Sequence, residues 1–370
     1  MTPANYWPLG STIQKTFTDL SSGTLYRNCG IISVNPVNGH AVIIFRRGTA
    51  FNGQSDYGKI CIRHSSDGGA NWEYEEVLFE ENNVDLRNIA GGYDSSGRLY
   101  VFYARYIPTG LPPYQSMNYR YSDNDGSSWC NQITLSKMSN TVFSPYGHIV
   151  DIGDPSDSGD TTLYQTWFAH NSSNPAVYKL YLYKSTDSGD NFYEADTITI
   201  YSGTSLFSHP TMVNLGGGCF LVLAKINSGT KFRQFKTEDN PEGTWENLGE
   251  TNFDTLTSDI APPWLSFINY QGVGIVACYY TKRGTTPYKL NVVFGLATDL
   301  LGNDTSGWNS STKKEVFSFP SSVTGYLSFF HPQNQFKGIG NTFEGSSVCY
   351  PKIVFTPEDD MISLFETLGL

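Results

Sequence analysis

Short apolar runs separated by turn residues recur along the whole chain, and no long stretch shows helical periodicity. Runs of roughly four to eight apolar residues, bounded by Gly, Pro, Asn and Asp, are typical of β-strands. Six segments open with a similar short phrase and continue through a turn into a second apolar run. The opening phrases lie at 26–28, 86–88, 143–145, 208–210, 261–263 and 349–351, and the second runs at 41–45, 99–103, 162–168, 219–223, 273–280 and 361–365. The pattern predicts an all-β protein in which one strand unit is repeated.

One loop of unusual composition occurs three times, each time after one apolar run and before another. Its pattern is Ser-x-Asp/Asn-x-Gly-x-x-aromatic, and its copies lie at 65–72, 122–129 and 185–192, with spacings of 57 and 63 residues. In such a loop the Ser and Asp side chains bond to backbone amides, Gly supplies a positive φ and the aromatic ring covers the turn. We therefore predict three equivalent hairpin turns. Degenerate copies at 237–245 and 298–308 continue the repeat.

The spacing of the repeat fits a β-propeller blade of four short strands. The chain is therefore predicted to be a six-bladed propeller of four-stranded antiparallel blades, in a single domain over residues 1–370. The sixth unit has only two apolar runs before Leu370, so we expect the N-terminal run at 12–17 to supply an outer strand and close the ring. Aromatic residues at 15%, with 36 Gly and 18 Pro, suit many short strands and tight turns.

Charge and hydrophobicity exclude several classes of partner. The net charge is −11 and Lys and Arg form no cluster, which disfavours nucleic acid and anionic membrane surfaces as partners. No apolar run is long enough to span a bilayer, and the first residues lack the basic and apolar regions of a signal peptide. We expect a soluble protein that is made in the cytoplasm, and action on a virion or outside the cell is left open.

The cysteines are spread over the length of the chain with no close pair. This spacing favours buried free thiols over a disulfide framework or a zinc site. The chain requires no cofactor, although a calcium ion in the acidic loop at 154–160 is left open, as is the oligomeric state. The six cysteines are Cys29, Cys61, Cys130, Cys219, Cys278 and Cys349.

In its repeated loops and opening phrases the chain resembles the sialidases (neuraminidases), six-bladed propellers whose loops of this pattern are called Asp boxes. The family opens its first blade with Tyr/Phe-Arg-Ile-Pro, and residues 26–28 read Tyr-Arg-Asn. The resemblance implies that Arg27 binds a substrate carboxylate. By position it also implies that Arg47, or its neighbour Arg46, is a second substrate-binding arginine, and that Asp56 is the acid/base carboxylate.

The C-terminal part of the chain carries the second half of the resemblance. The family reads Tyr-Ser-Asp-Leu, a turn, and a strand ending Leu-Tyr-Glu; residues 350–353 read Tyr-Pro-Lys-Ile and residues 362–366 read Ile-Ser-Leu-Phe-Glu. The resemblance implies that Tyr350 is the nucleophile and that Glu366 orients Arg27. A phenol suits this role because sialic acid carries a carboxylate at its anomeric carbon, where a carboxylate nucleophile would meet a like charge.

The chain departs from the family in its later blades. Segment 208–214 contains no Glu where the family places one on the innermost strand of blade four, and His209 is the residue that could replace that base. Arg283 follows a strand of the fifth unit and could supply a clamp position. Arg87 and Arg105 repeat in the second unit the positions of Arg27 and Arg47, so they could line the same pocket or merely follow the repeat.

These residues lead to one functional hypothesis with two alternatives. The first is a glycoside hydrolase of the sialidase type, which cleaves a terminal sialic acid or a related acidic sugar through a tyrosyl intermediate. The second is a non-catalytic glycan-binding propeller, such as a phage tail or adhesin module. The third is a hydrolase of another acidic polysaccharide. All three predict an acidic glycan as the partner, and the fold does not decide between them.

Overall fold

The fold consists almost entirely of β-strands, with one short helix, α1 (Ala297–Leu300). The computed structural model describes residues 14–16, 26–49, 57–69, 71–110, 113–136, 141–152, 161–171, 177–193, 196–226, 231–238, 240–251, 260–270, 272–283, 288–302, 307–319, 323–330, 339–344 and 350–355.

The strands follow one another in groups along the chain. A short first strand, β1 (Gln14–Thr16), precedes them. The first group is β2 (Tyr26–Val34), β3 (Ala41–Gly48), β4 (Lys59–Ser65) and β5 (Glu76–Phe79), and the second is β6 (Asp85–Tyr93), β7 (Leu99–Tyr106), β8 (Tyr114–Ser122) and β9 (Ile133–Ser136). The third is β10 (Thr141–Pro145), β11 (Val150–Asp151), β12 (Leu163–Asn171), β13 (Val177–Ser185) and β14 (Ile198–Gly203). The fourth group is β15 (Phe207–Gly216), β16 (Cys219–Ile226), β17 (Phe232–Thr237) and β18 (Glu246–Glu250). The fifth group is β19 (Trp264–Tyr270), β20 (Val273–Lys282), β21 (Tyr288–Leu296) and β22 (Trp308–Phe319). The last group is β23 (Val323–Phe330), β24 (Ile339–Glu344) and β25 (Tyr350–Phe355).

Hydrogen bonds join the described strands into six antiparallel sheets, which we number one to six in the order of these groups. Five sheets have four strands each. Sheet three has five, because the short strand β11 also pairs with β12. The protein is therefore an all-β propeller of four-stranded antiparallel blades, and the prediction of six such blades holds for five of the sheets.

Sheet six is completed from the other end of the chain. Strand β1 pairs with β25, with Gln14 opposite Val354, which confirms the expected N-terminal outer strand. The opening phrase at 349–351 was expected to begin the sixth unit. This expectation was wrong, because Tyr350 begins the third strand of this sheet and β23 is the innermost strand. The runs that form β23 and β24 carry no opening phrase, so the pattern gave no sign of them. The run at 361–365 lies outside the described residues.

The innermost strands of neighbouring sheets are tied together by hydroxyl side chains. The backbone N–H of Ile32 donates to Ser328 Oγ at 2.9 Å, which joins sheets one and six. Ser33 Oγ accepts from the N–H of Tyr93 at 3.0 Å, which joins sheets one and two. Short polar side chains can lie inside the ring because each is paired with a backbone group. These bonds contribute to closing the ring around its axis.

The three repeated loops share one hydrogen-bond arrangement between the third and fourth strands of their sheets. In the first loop, the N–H of Gly69 donates to Ser65 Oγ at 2.7 Å and that of Asn71 donates to Asp67 Oδ1 at 2.7 Å. Trp72 Nε1 donates back to Gly69 O at 2.9 Å, so the ring covers the turn. The serine and Asp/Asn bonds recur in the loops at 122–129 and 185–192. The predicted hairpin positions of the loops are confirmed.

Two of these loops, those of sheets two and three, also contact the preceding sheet. Asn35, in the turn after β2, donates to Asp125 in the loop of sheet two at 2.7 Å. Tyr100 Oη, in β7, donates to the carbonyl of Ser188 in the loop of sheet three at 2.8 Å. The degenerate loop of sheet five accepts a bond from Gln234 of sheet four in the same way. The repeat in the sequence therefore encodes contacts between neighbouring sheets as well as turns.

The contribution of these contacts between sheets to stability can be measured by a substitution at Arg98. Its guanidinium donates to Asp123 and Asp190 at 2.6 Å each, and so joins the loops of sheets two and three. Since both carboxylates are more than half exposed, we expect Arg98→Ala to lower the free energy of unfolding by only about 1 kcal/mol. Urea unfolding would measure this. Lys231→Ala, at a looser pair with Glu250 of 3.7 Å, should have no measurable effect, and equal losses in both variants would contradict the assignment.

The four cysteines whose side chains are described are free. Cys61 and Cys278 are buried, whereas Cys130 and Cys219 are partly buried. The expectation of free thiols is confirmed for these four, and Cys29 forms part of β2 without a described side chain.

Within the described ranges, no helix is long and apolar enough to cross a membrane. The same ranges contain no group of three or more His, Cys, Asp or Glu side chains that could hold a metal ion.

Candidate functional site

The arginines singled out from the sequence lie at one end of the propeller, which we call the site end. It is the end at which the innermost strands begin and the second strands finish. Arg27 lies opposite Arg47 in the register of β2 and β3, and Leu86 lies opposite Arg105 in the register of β6 and β7. The repeat explains this, because each sheet begins and ends its first hairpin at the same end.

The innermost strands are irregular close to the site end. The register shifts between Asn28 and Ile31 in β2, between Arg87 and Ala90 in β6, and between Ser208 and Thr211 in β15. Bulges of this kind redirect side chains and are common beside active sites. Two residues in these bulges, Asn88 and His209, have left-handed backbones, with φ of 59° and 52°. Such strain in residues other than glycine is concentrated at functional sites.

Arg27 and Arg47 share one carboxylate, Glu75. Arg27 is 1% exposed, and its Nε donates to Glu75 Oε2 at 2.8 Å. Arg47 donates from Nη1 to the other oxygen of Glu75. The buried thiol of Cys61 lies against the same carboxylate, and burial followed by the charge of Glu75 raises its pKa to about 12. The thiol therefore stays protonated and takes no part in nucleophilic chemistry.

The position of Glu75 determines where the Arg27 side chain points. Arg27 is on the innermost strand of sheet one, whereas Glu75 directly precedes β5, the outermost strand. The guanidinium of Arg27 therefore extends across the face of sheet one. Sequence reasoning assigned this orienting role to Glu366, which lies outside the described residues. It missed Glu75, because only the pairing of β5 with β4 brings a residue after the first loop back to Arg27.

A second carboxylate, Asp85, holds two further arginines between sheets one and two. Asp85 is fully buried, and its Oδ1 accepts from Arg46 Nε at 2.7 Å and from the N–H of Gly58 at 3.2 Å. Its Oδ2 accepts from Arg87 Nε at 2.8 Å. The Arg87 guanidinium also lies 3.7 Å from the ring centroid of Tyr106, a cation–π contact. Buried ions require this degree of pairing, since desolvation costs several kcal/mol per ion.

Gly58 is required where it stands in this cluster. A Cβ at this position would lie 2.4 Å from Arg46 Nε and 2.6 Å from Asp85 Oδ1. The absence of a side chain therefore allows the backbone to approach the ion pair. Sequence reasoning named Arg46 and Arg87 but not Asp85, which reads as an ordinary strand-initial residue.

Arg105 belongs to a more exposed pair. It contacts Glu81 through Nε at 2.9 Å and Nη2 at 2.6 Å, and both side chains are 27% exposed. An exposed pair of this kind contributes little to stability. Arg105 therefore lies at the site end without joining the buried cluster around Asp85.

His209 forms a third group, on the side of sheets four and five. Its ring contacts Tyr146 edge to face, with 5.2 Å between the centroids, and its Nδ1 lies 3.0 Å from Ser208 Oγ. Burial, and then the positive charges of Lys225 and Arg283, lower the pKa of His209 to about 3. The imidazole is therefore neutral near pH 7, so it is a weak general base but can still form hydrogen bonds.

Three residues that the sequence assigned to catalysis have no described side chains. Asp56 and Glu366 lie outside the described residues. Tyr350 begins β25, at the site end but on the third strand of its sheet, opposite Glu344.

Among the other predicted site residues, the structure brings Arg46 and Arg87 together at Asp85, and Arg27 and Arg47 together at Glu75. It places His209 near Arg283 in a separate group.

The comparison with solved structures identifies the fold. No protein-family model and no curated protein matches this sequence. Among solved structures, the Hadza microbial sialidase Hz136 superposes with a TM-score of 0.70 at 13% identity, over 90% of this chain and 66% of that one. A protein of unknown function from Dyadobacter fermentans gives a TM-score of 0.69 at 11% identity, over 92% and 97% of the two chains. Trypanosoma rangeli sialidase in complex with sialic acid gives 0.65 at 12%, over 97% and 59%.

These likenesses define a class of fold. The chain is a β-propeller with the sialidase-like fold, and it spans 66% and 59% of the two sialidase chains that it matches. At such low identity the likeness shows the fold alone, and function has to be argued from the residues at the site end.

Proposed function

We propose that this chain is a glycoside hydrolase of the sialidase type, which acts on a terminal sialic acid or a related acidic sugar. The observation that carries the proposal is the charge at the site end. Glu75 and Asp85 each hold two arginines, in a protein whose net charge is −11. The two carboxylates thus gather four guanidinium groups at the site end, and guanidiniums bind carboxylates through paired, charge-assisted hydrogen bonds. The sialidase-like fold supports the same class of ligand.

In this proposal Asp56 protonates the leaving oxygen and arginines bind the sugar carboxylate. Gly58, two residues after Asp56, is hydrogen bonded to Asp85 at 3.2 Å. The described part of the chain that follows Asp56 in the sequence therefore contacts the cluster of Arg46 and Arg87, which supports the choice of Asp56 for this role. Arg283 would contribute a further positive charge from sheet five. The neutral His209 would offer a hydrogen bond beside it.

Tyr350 is the proposed nucleophile, and Glu366 is proposed to orient Arg27 together with Glu75. One observation favours the second candidate, a non-catalytic glycan-binding propeller of the phage-tail or adhesin kind. Strand β25 is the third strand of sheet six, two strand spacings or roughly 10 Å from the innermost strand β23. Tyr350 would have to act from this distance. A binding module needs the arginines but no nucleophile.

The acid/base role of Asp56 is tested with a fluorogenic sialoside. We expect the wild-type protein to release the fluorophore, and Asp56→Asn to reduce the turnover by about 100-fold or more, because a general acid contributes roughly 10²- to 10⁴-fold. Asp196→Asn is the matched control, because Asp196 is exposed on sheet three and should not affect turnover. Circular dichroism would verify that both variants fold.

Binding of free sialic acid and of a neutral hexose, measured by calorimetry, separates the two candidates. Binding of the acid without turnover would support the glycan-binding module. Equal affinity for the acidic and the neutral sugar, or no binding of either, would contradict both candidates. Turnover of another acidic polysaccharide but not of the sialoside would assign the site to that substrate.

A further inference from the structure

Two histidines meet at the end of the propeller opposite the site end. His40 Nε2, in the turn before β3, lies 3.1 Å from His64 Nδ1 in β4, with the ring centroids 5.3 Å apart. At this distance one nitrogen must carry the hydrogen and the other must present its lone pair. The contact therefore requires that at least one of the two rings is neutral.

The pair lies directly under the repeated loop of sheet two. A Cβ on Gly126 of that loop would lie 3.1 Å from His64 Cε1, so the loop packs against the ring. The loop is held there by Asp125, which accepts from Asn35 at 2.7 Å and from Asn38 at 2.8 Å. The histidine pair is thus part of the joint between sheets one and two.

The other ionisable groups facing this joint are carboxylates and a phenol. The charges of Glu73, which precedes β5, and of Glu76, its first residue, act to raise the pKa of His64, as does that of Asp125 from the loop of sheet two. Tyr93 of β6 lies close to Asp125. Partial burial acts to raise the pKa of Asp125, but the hydrogen bonds from Asn35 and Asn38 outweigh it and lower this pKa, so the carboxylate keeps its charge in mild acid.

We propose that the His40–His64 contact makes the joint between sheets one and two acid-sensitive. When both rings are protonated, two N–H donors face each other at 3.1 Å, and one ring must turn toward the loop that packs on it. The Arg46–Asp85 ion pair crosses between the same two sheets at the site end. Loosening of this joint in acid therefore acts on the two sheets that carry the buried arginine cluster.

The direction of the effect follows from the environment of His64. Burial and the charge of His40 lower the pKa of His64 from its ordinary value of 6.5. The unfolded chain then takes up the proton first as the pH falls. The joint contributes its full stability above pH 6.5 and loses it as the pH falls toward the lower pKa of the folded state.

Hydrogen exchange of the full-length protein at pH 7.5 and pH 5, corrected for intrinsic rates, tests the proposal. We expect the loop at 122–129 to lose protection at pH 5 by up to about 30-fold, because this pH lies 1.5 units below the ordinary pKa of 6.5 and each unit corresponds to a factor of about ten. The loop at 185–192 is the internal control, because its hydrogen-bond partners on sheet two are Arg98, Tyr100 and Tyr119 and include no histidine. In His64→Gln, whose amide can donate or accept without charge, the loss should disappear.

A second variant, His40→Asn, controls for a local packing defect in His64→Gln. It should also remove the pH dependence of protection in the loop at 122–129. Equal losses in both loops of the wild-type protein would overturn the proposal. Persistence of the loss in either variant that folds at pH 7.5 would overturn it as well.

Discussion

Replacing Asp85 with alanine should lower the free energy of unfolding by about 3 to 5 kcal/mol, the range observed when one partner of a buried ion pair is removed. Asp85 is fully buried, and its two oxygens hold Arg46 and Arg87. Without it, two guanidiniums remain inside the protein, with Arg46 only 2% exposed. Chemical denaturation at pH 7 would measure the loss.

Two further variants make this prediction specific to buried charge. Asp85→Asn keeps one carbonyl oxygen for one guanidinium, so we expect a smaller loss than for alanine. Glu81→Ala removes the partner of Arg105 in a pair that is 27% exposed on each side, and should cost about 1 kcal/mol or less. Similar losses for Asp85→Ala and Glu81→Ala would show that the cluster around Asp85 is not the buried ion network that the structure indicates.

Trp264→Ala should have an effect of comparable size, about 3 to 5 kcal/mol, through loss of packing. Trp264 begins the innermost strand of sheet five and is 1% exposed. Its ring meets Tyr146 and His148 of sheet three edge to face, with 5.4 Å and 4.8 Å between the centroids. A truncation here leaves a cavity where two non-neighbouring sheets meet, and the rigid strands around it cannot close it.

The indole of Trp264 allows a sharper comparison. Its Nε1 is buried and has no hydrogen-bond partner among the described residues. Trp264→Phe keeps an aromatic ring and leaves no hydrogen-bond partner unsatisfied, so we expect a loss of only about 1 to 2 kcal/mol. Trp245→Ala, in the degenerate loop of sheet four, is the control for a half-buried ring and should also cost less than Trp264→Ala. A loss for Trp264→Phe equal to that for alanine would contradict this account.

Some of the candidate site could be predicted because it repeats. Arg87 was found since it occupies in the second unit the place of Arg27 in the first, and both do lie at the start of an innermost strand. The carboxylates that hold these arginines do not repeat. Glu75 precedes an outermost strand, whereas Asp85 begins an innermost one, so no single sequence position predicts an arginine's partner.

The opening phrase at 349–351 shows the limit of the pattern. Tyr350 was expected on an innermost strand, but two runs without that phrase, β23 and β24, occupy the inner positions of the sheet. An apolar run in the sequence indicates only that the strand it forms is buried. Its rank within the sheet depends on which runs pair with it, and several pairings bury the same residues equally well.

By itself, the sequence determined the all-β class, the repeated loops and their hairpin positions, and the N-terminal strand that completes sheet six. Each follows from local chemistry, namely apolar runs, turn residues and a fixed period. Only the tertiary structure decided the pairs Arg27–Glu75, Arg46–Asp85 and His40–His64. These join residues 24 to 48 positions apart, and their distances depend on sheet register and on the packing of one sheet against the next, which local patterns do not encode.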